Sequence, residues 1–183
     1  MRFKKARGGT VRADLEAVEA DVLSAAAADL LELLGEPEDA HADPLAALVG
    51  LSDGPVAPPE DPALARLLPD AYGDDDAAAT EFRRYTEGDL RAGKRANAGA
   101  VVASLAPLVG QGGRLLLDRE TADAWLGCLN DLRLVLGTRL EVTEETDLHV
   151  ADDDPRAQAL QVYGWLGWLQ ESLLSCLDPL GPR

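Results

Sequence analysis

The chain has 183 residues and a formal net charge of −16, with 46% hydrophobic and only 4% aromatic residues. That length is about one ordinary domain, able to bury a core without a disulfide or metal staple, and the apolar fraction excludes a disordered polyanion. With so few aromatics the core must be leucine, valine and alanine, which pack well between helices. The expected fold is mainly α: a compact bundle of about four main helices with a small N-terminal β-hairpin, in a single domain over 1–183.

The charge is unevenly spread. Residues 1–12 hold Arg2, Lys4, Lys5, Arg7 and Arg12 and no acid, while the rest carries 12 basic and 33 acidic side chains. A body this negative repels phosphate backbones, so no nucleic-acid partner is expected, and it suits a basic protein partner. Cys128 and Cys176 lie in apolar helical patterns without a CxxC pair or histidine cluster, as free thiols in a reducing compartment do. The basic start lacks an apolar signal core and no apolar run approaches the length of a membrane span. A cytoplasmic protein with no membrane partner is the expectation.

In chain order, Phe3 and then Val11, Ala13 and Leu15 alternate around Gly8-Gly9, which predicts a hairpin over 2–15. A first helix follows at 16–34, with Val18, Val22, Leu23, Leu30, Leu33 and Leu34 near one stripe and Gly35 then Pro37 as the stop. Residues 36–75 hold most of the prolines and read as an irregular segment with helical pieces at 44–50 and 62–68. Asp74-Asp75-Asp76 is an acid cluster suited to the start of the next helix. That helix spans 76–108, either broken near Gly88 or continuous through it. Leu115-Leu116-Leu117, bounded by Gly112-Gly113, predicts a third short strand beside the hairpin. Asp118 reads as the N-cap of a helix to Leu140. An acidic loop, 141–154, leads to Asp154-Pro155, which opens a last helix ending near Leu177.

Helix 118–140 has an apolar stripe of Ala122, Trp125, Leu126, Leu129, Leu132, Leu136 and Leu140, and Arg133 falls inside it. A guanidinium aimed at a core must be paired. On the 76–108 helix, Glu87, Lys94 and Asn97 fall on the same face as Leu90, Ala98, Val101, Leu105 and Leu108. The expectation is a buried polar network joining Glu87, Asn97 and Arg133, with Glu87 as the first-choice partner of Arg133 and Glu81 as the second. Such a network fixes helix register, or forms a polar pocket for a small anion or peptide terminus, with Lys94 and Asn130 among its candidate residues. The last helix is apolar nearly all round, and Gly164 and Gly167 permit close approach. Trp165 and Trp168 are therefore candidate interface residues of a homodimer.

No nucleophile elbow, Walker loop, HExxH or CxxC pair is present, so no catalytic residue and no cofactor is assigned. Gly110, Gly112 and Gly113 lack the strand and helix context of a dinucleotide loop. His149 with Asp152, Asp153 and Asp154 has donor atoms, but the spacing fits no EF-hand, so no metal is assigned.

Two segments, EFRRYTEGDLRAGKRAN (81–97) and WLGCLNDLRLVLGTRLEV (125–142), carry a resemblance. They resemble an actinobacterial family of unknown function whose genes often lie near those for the Clp-protease adaptor ClpS, a JAMM-type metalloprotease and sulfur metabolism. The resemblance implies no activity, cofactor or catalytic residue; it places Glu87, Asn97, Asn130, Asp131, Arg133 and Arg139 within the recognisable segments. Gly88, Gly93 and Gly99 in the long helix depart from the family pattern. The leading expectation is a non-enzymatic protein-binding or regulatory protein linked to Clp-dependent proteolysis. A transcriptional regulator is the alternative, with Arg83, Arg84, Arg91, Lys94 and Arg95 as a basic stripe. An enzyme binding a small anionic substrate through Arg133 is a second alternative.

Overall fold

In the computed structural model, the described residues are 1–35, 58–71, 76–148, 150–151 and 153–177. The expected helical piece at 44–50, the Asp74–Asp75 pair, His149 and Asp152 lie outside them.

The hairpin forms as its glycines require. Strand β1 (Lys4–Lys5) pairs antiparallel with β2 (Val11–Leu15), joined by a 3-10 turn at Arg7–Gly9 in which Gly8 and Gly9 take φ of 72° and 77°. The third strand is also present: β3 (Gly113–Leu117) pairs antiparallel with β2, with Val11 opposite Leu117 and Ala13 opposite Leu115. Alternation turns Val11, Ala13, Leu15, Leu115 and Leu117 into the core and leaves Leu116 at the surface.

Helix α1 (Ala17–Leu34) starts in a capping box in which the Glu16 and Glu19 side chains take each other's backbone N–H. Helix α2 (Pro62–Leu67) is capped by Asp61, which accepts from the N–H groups of Ala63 and Leu64, with proline at the first turn. Helix α3 (Asp76–Leu105) is continuous over 30 residues, so of the two alternatives at Gly88 the unbroken one holds. One glycine costs a helix only about 1 kcal/mol, less than the packing of the long α3 face returns. Helix α4 (Arg119–Arg139) opens on Asp118, whose carboxylate accepts from Thr121 N–H at 2.8 Å, and α5 (Ala157–Leu177) follows a turn where Asp154 accepts from Arg156 N–H.

Helix α4 is the centre of the molecule: α1, α2, α3, α5 and β3 all touch it. Its Trp125 is fully buried, meets Phe3 edge-on at 5.7 Å and donates its indole N–H to Ser104 Oγ at 2.9 Å. Sheet and bundle are joined again where Phe3 N–H reaches Ser172 Oγ on α5. The α1 stripe is corrected by this arrangement. The buried row is Ala20, Leu23, Ala27, Leu30 and Leu34, while Val18 and Val22 face outward. Small alanines sit where α1 lies against α3 and α4, and close helix contact favours them there over the larger valines, which stand on the solvent side. No described helix is long and apolar enough to cross a membrane.

Candidate functional site

Helix α3 presents cations at Arg83, Arg91, Lys94 and Arg95, and the fold turns each of them toward protein. Glu87, only 10% exposed, lies one turn from two of them. It accepts from Arg83 at 2.9 Å and from Arg91 at 2.5 Å. Arg83 also meets Asp70 and the carbonyl of Leu68. Arg91 donates to the carbonyl of Leu34 at 2.5 Å, and Arg95 to those of Leu31 and Gly35. The last turn of α1 has no basic residue of its own. Two arginines of α3 therefore satisfy its terminal carbonyls and face the negative end of its dipole. The remaining cation of the stripe, Arg84, has its Nε buried without a partner among the described residues.

The expected network of Glu87, Asn97 and Arg133 is not formed. Glu87 is engaged along α3, and Arg133 faces α5 instead. Its guanidinium donates to Gln170 Oε1 at 2.8 Å and lies 5.2 Å from the Tyr163 ring centre. Gly167 of α5 is the reason it fits, since a Cβ there would come within 3.3 Å of Arg133 Nε. That Nε is buried without a hydrogen-bond partner. Arg133 is half-buried rather than sunk in a core, which lets a neutral amide and an aromatic face serve where an acid was expected. Arg139 pairs at 2.5 Å with Asp61, the cap of α2.

The polar contact between α3 and α4 is made by other residues. Lys94 Nζ donates to Asp131 Oδ1 at 2.6 Å. Asp131 is 1% exposed, and its second oxygen, Oδ2, has no hydrogen-bond partner among the described residues. Burial raises its pKa above the ordinary carboxylate value, and Lys94, with a smaller contribution from the Asn130 amide, opposes that shift without cancelling it. Around this pair a cleft of about 330 Å³ opens, lined by Asp89, Gly93, Lys94 and Asn97 of α3 and by Asn130 and Asp131 of α4. Gly127 completes the α4 side and keeps the helices close: a Cβ there would stand 2.5 Å from Asn97 Nδ2.

Three of the residues singled out in the sequence, Lys94, Asn97 and Asn130, thus come together; Glu87 stands in a separate cluster, and Arg133 reaches the cleft only through Gln170, whose Nε2 donates to Asn130 Oδ1 at 3.4 Å. Asp131 was the residue missed as part of a site. A signal for it exists: Gly127, Asn130 and Asp131 recur at three- and four-residue spacing, a small and polar face matching that of Gly93, Lys94 and Asn97. Trp165 is partly buried against the core, and Trp168 is 44% exposed. Among the described residues no group of three or more histidine, cysteine or acidic side chains is placed to hold a metal ion. Cys128 and Cys176 are free thiols; burial, with Asp131 nearby, pushes Cys128 up to about 12.

The chain belongs to a family described as a domain of unknown function, DUF2017, whose model matches residues 1–177. It is similar to the oxidative stress regulator AosR of Mycobacterium tuberculosis (strain ATCC 25618 / H37Rv), at 32% identity over 96% of this chain and 86% of that protein. The AosR protein of Mycobacterium leprae (strain TN) is 34% identical over the same shares. No solved structure matches.

Proposed function

Proceeding from that membership, we propose that this protein is a non-enzymatic regulator that acts by binding another protein, in a response to oxidative stress. The observation that carries this reading is the fate of the α3 cations. Arg83, Arg91, Lys94 and Arg95 are spent on Glu87, Asp70, Asp131 and the carbonyls that end α1. Little of that stripe is left to neutralise phosphates, and the chain as a whole is strongly acidic. The relatives named as oxidative stress regulators cover nearly the whole chain, which supports a regulatory role here. A link to Clp-dependent proteolysis rests on the gene neighbourhood implied by the resemblance, and the Clp adaptor is the first partner to assay.

The thiols bear on how the stress signal is received. A thiolate is the reactive form, and burial suppresses it at Cys128. That supports a stress response carried by the partner or the complex rather than by a reactive thiol at Cys128.

Affinity capture with the full chain, repeated across ionic strength, tests the reading. Expected is a protein complex that weakens as salt rises, as contacts between an acidic and a basic surface do, with no duplex DNA retained at physiological salt. Tight, sequence-selective retention of duplex fragments in gel shifts would overturn it in favour of a DNA-binding transcriptional regulator. Turnover of a small anionic substrate, lost in Arg133→Met, would favour an enzyme.

A further inference from the structure

The cleft between α3 and α4 has features that a merely structural ion pair does not need. Asp131 is buried, yet one of its two oxygens has no donor among the described residues. A buried carboxylate left half satisfied is costly, and such groups are rare in folded proteins. Asp131 also lines an open cleft of about 330 Å³, a volume at the lower end of ligand pockets and enough for a side-chain head group. The charges of that cleft are Asp89 and Asp131 against Lys94, a net of one negative charge. Lys94 is already committed to Asp131 Oδ1, so no free cation invites an anion. Asn97 adds a side-chain amide with an oxygen able to accept, and Asn130 adds a second, whose Oδ1 already accepts from Gln170 Nε2 at 3.4 Å and keeps one lone pair.

We propose that this cleft receives a basic side chain of a protein partner, arginine before lysine, with Asp131 Oδ2 as its principal acceptor. A guanidinium matches the surroundings better than an ammonium. It is planar, more weakly hydrated, and presents five donors that can reach Oδ2 and a neighbouring amide oxygen together. Oδ2 is closed to solvent in this conformation, so entry requires a side chain at the cleft to shift. The proposal rests on the protein-binding reading above and assigns it a recognition element.

NMR titration of the full chain tests it, with the blocked peptides acetyl-Gly-Arg-Gly-amide, acetyl-Gly-Lys-Gly-amide and acetyl-Gly-Leu-Gly-amide, and with spermidine as a free amine. Saturable shifts at Gly93, Gly127 and the Asn97 side-chain amide are expected with the arginine peptide, weaker ones with lysine and none with leucine. Asp131→Asn should weaken arginine-peptide binding about tenfold or more, because it removes the charge of the acceptor. Gly93→Met is the second variant. A Cβ at Gly93 meets nothing within 4 Å, so the longer side chain can occupy the cleft while improving helix propensity. It should raise the melting temperature and abolish peptide binding. No saturable shift with the arginine peptide, binding of spermidine alone, or equal binding by Asp131→Asn would each overturn the proposal. A partner captured equally by the parent and by Gly93→Met would overturn the role of the cleft while leaving the protein-binding reading intact.

Discussion

At Asp131 two effects oppose each other. Burial favours the neutral carboxyl, and the Lys94 ammonium 2.6 Å away favours the charged one; burial prevails, and the pKa stands above its ordinary 3.8. A carboxyl whose pKa is raised on folding contributes stability that is fully present below its unfolded value and is lost as pH rises through the folded one. Subtracting the stability profile of Asp131→Asn from that of the parent should isolate this group. The parent should lose stability relative to the variant as pH rises from about 4, and a flat difference would contradict the assignment. Arg133 carries a second comparison. Arg133→Met removes a charged hydrogen bond to Gln170 and the contact with Tyr163, for an expected loss of about 1.5 kcal/mol. Arg139→Met breaks the partly exposed pair with Asp61 and should cost less than about 1 kcal/mol. Thermal melts of double variants should show Arg133 coupled to Gln170 and additive with Glu87, because the last two belong to separate clusters. The thiols give a third test. Alkylation of the native protein should modify the partly exposed Cys176 before Cys128, whose label should appear only on unfolding.

Helix ends were well encoded locally. Asp61, Asp118 and Asp154 all accept backbone N–H groups at the first turns that follow them, and each has its pKa lowered, chiefly by the Arg139 side chain at Asp61, the Thr121 N–H at Asp118 and the Arg156 side chain at Asp154. Capping is a contact within a few residues, so spacing alone reveals it. The C-terminal end of α1 is different. Its carbonyls are met by Arg91 and Arg95, some 60 residues away, and no local pattern announces such a partner. The glycines divide by the same logic. Gly88 and Gly99 sit in α3 with room for a Cβ, so Gly88→Ala and Gly99→Ala should each stabilise the protein by about 0.5–1 kcal/mol. Gly112 has φ of 65° and would place a Cβ 2.6 Å from Leu15 O and 2.8 Å from Ala17 N, at the junction of β2 and α1. Gly112→Ala should therefore lower the melting temperature by more than either α3 change raises it. Chemical denaturation of the three variants checks both signs.

The whole molecule is a helical bundle built around α4, with a three-stranded sheet at one flank. Its acidic composition governs which partners approach, while its few exposed aromatics limit how it can self-associate. Trp168 is 44% exposed on α5, whereas Trp165 is turned toward the core. Self-association through α5 remains our expectation, now resting on Trp168. Light scattering at rising concentration should show a mass approaching twice the monomer's 19.4 kDa, and Trp168→Ser should return it to one. A constant monomer mass in the parent would remove Trp168 as a contact.

Composition and periodicity alone established the helical class, the hairpin, the third strand and the helix beginnings. Each depends on residues close in the chain: glycines that accept positive φ, acids that cap, and apolar residues at helical or alternating spacing. Which faces meet was decided only by the tertiary structure. The stripe of α4 marked Arg133 as a residue needing a partner, but the choice among Glu87, Glu81 and a group on α5 depends on how helices are arranged around α4, and chain spacing carries no record of that. Gly167 opens the way to Gln170, and Glu87 is held by arginines one turn away on its own helix. Asp131 was hidden for the same reason. A helix contacted on nearly every side buries more than its apolar stripe, and an acid on its flank becomes core only because Lys94 arrives from α3 to meet it.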